Sequence, residues 1–443
     1  MLWLPCPLIT KKARTMSAKA PQTQPPRHTV MGSLQGPIAF AHYSLANDIS
    51  GVTTWLRDLL LRLHADGVPL VVLLHHLHGE PQDSSLAATL RDSGITVEIH
   101  GRAATMDEDL VNVRDFLDRH EPSAFLPQCL NVFYYAAAAA GAQGLPWCMT
   151  LHSDDPDYWA IAEALPAERF GGRTICVSKH LVDETKSRGL AARPIMIPYG
   201  ASLPLQRAAY NDQPFTVVFS GRMLEEQKRL SLVLKTLTLA CGMDGRINAV
   251  LIGDGQGSQA AQAQVAEAGL AERIRFTGRL APEVVFGELR KSQAILLMSD
   301  YEGLPLSLLE AMALGLVPVV RSIPSGIPEL VQDGITGVLV NEDPEKAATA
   351  LVALMNDPDR WGRCSLAAHA LIEQEYSADR SYAAWVEHLE QLVRSNDSTF
   401  PLDRGRDSKL PVAGSLLGKG YMARPIKPTI IRRVVNKLKR VLQ

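Results

Sequence analysis

The sequence predicts an α/β protein built as two doubly wound halves that face each other across a cleft. Three observations predict it. Short apolar runs alternate with segments of helical periodicity, first over Ile38–Ile197 and again from Phe215 onward. Runs such as Val68–Leu74 are nearly continuous in their apolar character, the pattern of parallel strands covered on both faces. The chain has 443 residues, enough for two or three domains.

In chain order, residues 1–36 are expected to form an unstructured leader, rich in Pro, Lys, Gln and Ser. Its apolar opening, Met1–Thr10, is broken by two prolines and is followed, not preceded, by charge, the wrong order for a signal peptide. Met16 and Met31 are alternative starts. Residues 37–203 form the first half. Strands are expected at Ile38–His42, Val68–Leu74, Thr96–Ile99, Ala124–Leu126, Cys148–Leu151, Arg173–Val177 and Ile195–Ile197. Helices are expected at Gly51–Ala65, whose Val52, Trp55, Leu56, Leu59, Leu60 and Leu63 share one face, and at Leu86–Asp92, Glu108–Arg119 and Val132–Ala142. The Ala136–Ala140 run suits a helix packed closely on a sheet.

Pro204–Gln213 reads as a linker. Residues 214–380 repeat the plan, with strands at Thr216–Ser220, Ala249–Ile252, Ile274–Thr277, Ala294–Met298 and Val317–Val320. Helices are expected between them at Arg229–Leu239, Gln259–Ala268, Pro282–Lys291 and Leu306–Leu314. Both halves are therefore Rossmann-like. Residues 381–395 form a further helix, and residues 396–443 a basic linker and tail.

Composition excludes several classes. No apolar run is long enough to span a membrane. Six cysteines lie without paired spacing, which suits free thiols in a reducing, cytoplasmic setting better than a disulfide framework or a zinc site. The formal charge is −2, yet residues 401–443 carry eleven Lys/Arg against two Asp. The tail is thus +9 and the rest −2 − 9 = −11. Within 428–443, Ile430, Ile431, Val434, Val435, Leu438, Val441 and Leu442 fall on one helical stripe beside Arg432, Arg433, Lys437, Lys439 and Arg440. A basic amphipathic helix of this kind suits an anionic membrane surface, here the inner face, with the chain's own acidic body or a partner as alternatives. No nucleic-acid partner is expected.

Ser299–Val320, S-D-Y-E-G-L-P-L-S-L-L-E-A-M-A-L-G-L-V-P-V-V, packs a loop, a helix and the start of a strand beyond a strand's C-terminal end. Ligands of open α/β sheets bind there. Glu302 sits in the loop, Glu310 in the helix, and the helix N-terminus between them favours an anion. The arrangement suits a ligand with hydroxyls at both ends and negative charge in the middle, as in a nucleotide sugar.

The stretch resembles the E-x7-E motif of retaining GT-B glycosyltransferases, family 4 (glycosyl transferases group 1), including the Glu302-Gly303-Leu304-Pro305 turn and the E-A-M-A-x-G-x-P-V-V continuation. The resemblance covers roughly Ile38–Arg394. It implies that Glu302 contacts the donor sugar and Glu310 the ribose, and that helix 381–395 crosses back onto the first domain. Gly221-Arg222, a short loop and Lys228 look like the family's diphosphate-binding pattern. Two cations there would stabilise the leaving phosphate, whereas as mere surface charges they would be poorly placed at a helix start.

Gly278-Arg279-Leu280 resembles the family's base-contacting loop. Gly51 is similar to the second glycine of the family's Gly-Gly-V turn, where backbone approaches phosphate, but Ser50 replaces the first. His152, at a strand end, resembles the histidine that the family places on the reacting side of the sugar. A structural histidine is the alternative.

Other features are discounted. Gly253-Asp254-Gly255-Gln256-Gly257 mimics a dinucleotide fingerprint with the third glycine one residue early. His75, His76 and His78 alternate faces along a strand with no acidic or Cys partner in sight. Asp155-Pro156-Asp157 is a D-x-D, the metal signature of the other large glycosyltransferase fold, and reads here as turn residues or acceptor-side polar groups.

The resemblance implies a hexosyltransferase of polysaccharide biosynthesis. It would move sugar from a nucleotide diphospho-sugar to a hydroxyl of a glycan or lipid-linked glycan, retaining the anomeric configuration. No metal or cofactor is expected, the donor being a substrate. Two other classes share the architecture: a nucleotide-sugar epimerase or phosphorylase, and a non-catalytic nucleotide-sugar-binding scaffold. Acceptor choice is expected to lie in the loops around His78–Ser84, His100–Met106 and Asp154–Tyr158.

Overall fold

A computed structural model describes residue 34 and residues 36–45, 50–77 and 84–394. The expected leader up to residue 33, Asp48-Ile49, His78 to Asp83 and the basic tail 396–443 lie outside the described residues.

The first domain runs β1 (Ile38–Ser44), α1 (Gly51–Ala65), β2 (Leu70–His76), α2 (Ser85–Asp92), β3 (Thr96–Gly101), α3 (Met106–His120), β4 (Ala124–Pro127), α4 (Asn131–Gly141), β5 (Trp147–Leu151), α5 (Pro156–Ala164), β6 (Gly172–Cys176), α6 (Lys179–Ser187) and β7 (Ile195–Met196). Its seven strands are ordered β3-β2-β1-β4-β5-β6-β7 and are parallel throughout. The central strands are buried along their whole length, which is why they lack in-out alternation. Helix α1 starts where the sequence places it, and Ser50 explains the missing glycine. Its hydroxyl caps the helix by accepting from Thr53 N at 3.2 Å, and it also meets Tyr43 Oη at 2.9 Å and Thr53 Oγ1 at 2.8 Å. In α4, Ala136, Ala137 and Ala138 are buried.

The second domain runs β8 (Phe215–Ser220), α7 (Glu225–Lys228), α8 (Leu230–Met243), β9 (Ile247–Ile252), α9 (Ser258–Glu267), β10 (Ile274–Gly278), α10 (Pro282–Arg290), β11 (Ala294–Leu297), α11 (Leu306–Ala313), β12 (Val317–Arg321), α12 (Ile327–Leu330), β13 (Val338–Val340), α13 (Pro344–Met355) and α14 (Pro358–Glu375). The six parallel strands are ordered β10-β9-β8-β11-β12-β13. Strand order reverses between β1 and β4 in one sheet and between β8 and β11 in the other. The loops that follow those strands therefore line the two crevices.

Two differences from the sequence reading have clear causes. The helix expected over Arg229–Leu239 is present as Leu230–Met243, but a short helix, α7, precedes it, and Arg229, at φ +49°, ends α7 and caps the start of α8. Between Val320 and Ser381, where apolar periodicity predicts no element, lie α12, β13, α13 and α14. Two of these carry a legible signal: Asp343-Pro344 and Asp357-Pro358 are N-caps followed by proline at the first helical position.

The last described helix, α15 (Ala378–Arg394), packs on the first domain. The ring centroids of Trp385 and Trp55 lie 5.3 Å apart, Ser381 Oγ donates to Pro198 O at 2.6 Å, and Arg62 pairs with Asp379 at 2.8 Å. Isolated bridges join Ala201 to Ser377 and, across the cleft, Ser153 to Gly303.

Candidate functional site

The second sheet's crevice is built from the loops after β8 and β11. Lys228, the last residue of α7, donates from Nζ to Glu302 Oε1 at 2.6 Å, and both side chains are buried. Gln227 binds the same loop through its backbone, its carbonyl accepting Asp300 N at 2.9 Å. Its side-chain carbonyl accepts Arg222 Nη2–H at 2.9 Å and its amide donates to Tyr301 O at 3.4 Å. Arg222 is otherwise exposed at the crevice mouth.

Arg229 secures this turn. Its guanidinium reaches Asp300 at 3.1 Å and Glu342 at 3.0 Å, and Arg321 bonds both of the same carboxylates. Burial alone would raise the Asp300 carboxyl, but the bonds from Arg321 and Arg229 outweigh it and hold its pKa below the ordinary value. This quartet offsets the left-handed backbone of Arg229 and locks the Lys228 turn to the Glu302 loop.

Helix α11 follows at once. Pro305 occupies its N-cap and makes no side-chain cap hydrogen bond, so the dipole's positive end of α11 lies in the loop that carries Glu302. Glu310 lies farther along the helix, half-buried, and lines a cavity of about 370 Å³ with Phe286 and Leu306 of its own domain and Trp55, Asp58 and Arg62 of α1. Burial, with a smaller push from Asp58 and an opposing pull from Arg57, raises the Glu310 carboxyl to about 7.

The first domain meets the Glu302 loop at the end of β5. A side chain on Gly303 would place Cβ 2.1 Å from His152 O, so only glycine allows this approach. Asp154 N donates to Glu302 O at 3.4 Å. The His152 ring is buried with both nitrogens engaged: Nε2–H donates to Gln128 Oε1 at 2.6 Å and Nδ1 accepts from Tyr199 Oη at 2.5 Å. Burial, reinforced by His42, lowers its pKa to about 3, so the ring is neutral. The face of His152 nearest the Glu302 loop is its carbonyl, not its ring.

The remaining expected residues are placed as follows. Gly51 begins α1, and a Cβ there would meet Leu306 Cβ at 3.6 Å, an ordinary contact. Leu304 is buried behind the Glu302 loop. Gly278 has φ +66°, and its carbonyl accepts Gly253 N at 2.9 Å. Arg279 lies exposed, 3.8 Å from Asp254, and Leu280 is partly buried. The glycines at 253 and 255 serve loop stacking, because a Cβ at either would fall 2.0 Å from Gly221 O or 2.5 Å from Met223 O. Asp155 is the N-cap of α5, accepting Asp157 N at 2.8 Å.

One expectation is corrected. His75 does have an acidic partner, Asp109 of α3, at 3.3 Å between buried atoms. The sequence hides it because the two elements are far apart in the chain and meet only through packing. Among the described residues, no group of three or more His, Cys, Asp or Glu is arranged to hold a metal. Sequence reasoning also missed Gln227, the Arg229 quartet and the Gln128–His152–Tyr199 chain, none of which has a local pattern.

Residues 214–357 match the glycosyl transferases group 1 family. Over 188 residues the chain is 31% identical to the amylovoran biosynthesis glycosyltransferase AmsK of Erwinia amylovora, spanning 41% of this chain and 46% of that protein. Over 171 residues it is 28% identical to the lipopolysaccharide 1,6-galactosyltransferase of Salmonella typhimurium, spanning 37% and 47%. The chain thus spans just under half the length of these curated relatives. The structure of HepE from Anabaena, in complex with UDP and glucose, superposes with a TM-score of 0.65 at 19% identity, covering 80% of this chain and 99% of that one. The fold is GT-B: two parallel sheets with flanking helices, facing across a cleft.

Proposed function

We propose that the chain is a retaining glycosyltransferase of family 4 that moves a hexose from a nucleotide diphospho-sugar to a hydroxyl of a glycan or lipid-linked glycan, without a metal. The observation that carries this reading is the buried Lys228–Glu302 pair beside the uncapped start of α11. It sets a carboxylate for sugar hydroxyls against cationic and N–H donors for a diphosphate. The UDP and glucose of HepE and the polysaccharide and lipopolysaccharide roles in the names of the relatives support the donor and acceptor classes.

Each residue has a derivable task. Arg222, Lys228 and the α11 N-terminus meet negative charge as it grows on the departing diphosphate, where fixed donors act most strongly. Lys228 must leave Glu302 to do so, which frees that carboxylate to accept sugar hydroxyls. Glu310 accepts the ribose hydroxyls. Gly278, Arg279 and Leu280 flank the base through backbone atoms, and Gly51 faces the phosphates from the first domain.

A double displacement requires a carboxylate nucleophile near the anomeric carbon. Asp154 is the first-domain carboxylate at the strand end, and both its oxygens are taken, by Trp159 Nε1–H at 2.6 Å and His180 Nε2 at 3.0 Å. Departure and attack on one face, with the leaving phosphate as base and the His152 carbonyl beside the developing positive charge, fits these residues better.

No described helix is long and apolar enough to cross a membrane. The basic stripe of 428–443 supports peripheral binding to an anionic inner membrane face, where each Lys or Arg contributes about 1 kcal/mol. Co-sedimentation with anionic vesicles, compared between the full chain and a chain ending near Thr399, tests this, and equal binding by both would refute it.

The transferase reading is tested by a panel of UDP-, GDP- and ADP-hexoses. One of them should raise the melting temperature by mass action and release nucleoside diphosphate faster with glycan acceptors present. No stabilisation and no release across the panel would overturn it.

A further inference from the structure

The N-terminus of α6 in the first domain is completed by a side chain of the second. Lys179 N donates to Glu329 Oε2 at 3.0 Å and His180 N to Glu329 Oε1 at 2.9 Å. The next N–H, of Leu181, is taken by the helix's own cap, Ser178 Oγ, at 3.3 Å. A carboxylate accepting two N–H groups at a helix N-terminus gains from both charge-assisted bonds and the helix dipole.

Glu329 is carried on α12, which is tied directly to the Glu302 loop. Glu329 N donates to Gly326 O at 3.2 Å, and Gly326 N donates to Gly303 O at 2.7 Å. Gly326 is wedged at the joint: a Cβ there would lie 2.4 Å from Gly303 O and 3.0 Å from Ser178 Cβ. On the other side, His180 Nε2 meets Asp154 Oδ2 at 3.0 Å and Asp154 N reaches Glu302 O at 3.4 Å. These contacts close a ring that runs from Glu302 through Gly303, Gly326, Glu329, His180 and Asp154 back to Glu302. The ring crosses between the domains twice, and Glu329 makes its only doubly bonded crossing.

We propose that Glu329 is a positioning residue: by docking α12 onto the start of α6, it fixes the Glu302–Gly303 loop against the His152–Asp154 strand end and so sets donor against acceptor. These two hydrogen bonds end on backbone N–H groups at a helix start, outside both sheets, so neither core is built on them. The functional consequence rests on the transferase reading, whereas the joint itself is testable without it.

The experiment uses the full chain as wild type, E329A and E329Q. It reads amide exchange at Lys179 and His180, nucleoside-diphosphate affinity by calorimetry, and donor turnover. In E329A these two amides should exchange roughly tenfold faster while the later α6 amides keep their protection. Nucleotide affinity should stay within about twofold, and kcat should fall on the order of 10²-fold, because a misplacement near 1 Å has that effect. E329Q retains one acceptor oxygen and should fall between the two.

Unchanged exchange at both amides in E329A would overturn the joint. Altered exchange with wild-type kcat would overturn the positioning role, as would a kcat loss matched by an equal loss of nucleotide affinity or by protection lost throughout α6. Absence of turnover in the wild type would refute the transferase reading instead, and the exchange data would still decide the joint.

Discussion

Lys228 and Glu302 give the sharpest energetic prediction. Both are buried and 2.6 Å apart, so each is the other's compensation for lost water. Replacing Lys228 with Met leaves the Glu302 carboxylate buried without its cation, which costs about 3–5 kcal/mol. Replacing Glu302 with Gln strands the ammonium in the same way. For a domain of this size, each kcal/mol moves the midpoint by about 2–4 °C, so either single change should lower the melting temperature of the second domain by roughly 6–20 °C. Removing both charges together should restore most of that loss, since a buried pair exchanged for uncharged groups is often neutral. Scanning calorimetry on the four proteins closes the cycle. Turnover should not recover with stability, because loss of a preorganised donor to a developing anion lowers kcat by about 10²–10³. Single variants that melt with the wild type, or a double variant less stable than either single, would refute the pairing. A stable double variant with normal turnover would refute the diphosphate role.

Glu310 and Gly303 give two more. The Glu310 carboxyl is raised from its ordinary 4.5 to about 7, chiefly by burial, so the folded state holds its proton more tightly than the unfolded chain. That contribution is complete below pH 4.5 and gone above about pH 7, so wild-type stability relative to Glu310→Gln should decline as pH rises through this window; a flat difference would refute the shift. Gly303→Ala places a methyl 2.1 Å from His152 O, which must part the domains at that point. Its kcat should fall by about 10² with nucleoside-diphosphate affinity retained, and a normal kcat by donor assay would show that the close approach is dispensable.

What the sequence made legible follows from local chemistry. Most strand and helix positions up to Val320 follow from apolar periodicity, with α5, α6 and the short α7 left unread, and Gly51–Ala65 matches to the residue because its apolar face and its Ser50 cap agree. Glu302, Glu310, Arg222 and Lys228 stood out because their spacing survives on contiguous segments. Long-range partners did not. Asp109 reaches His75 from another element, Arg229 leaves helical space for a quartet spread from 229 to 342, and Glu329 completes a helix in the other domain. The buried ring of His152 is held by hydrogen bonds with Gln128 and Tyr199, which no spacing rule links to it. In the stretch from Val320 to Ser381 the local signal is the pair of Asp-Pro helix starts, Asp343-Pro344 and Asp357-Pro358, rather than apolar periodicity.

The most direct test of the account is a single transfer reaction followed by proton NMR, with EDTA present, using the donor that stabilises the chain and a glycan acceptor. The account predicts a new glycosidic bond whose anomeric coupling constant matches that of the donor, at a rate unaffected by the chelator and abolished by Arg222→Ala. An inverted product, a rate restored only by added metal, or an Arg222→Ala variant that turns over normally would contradict it.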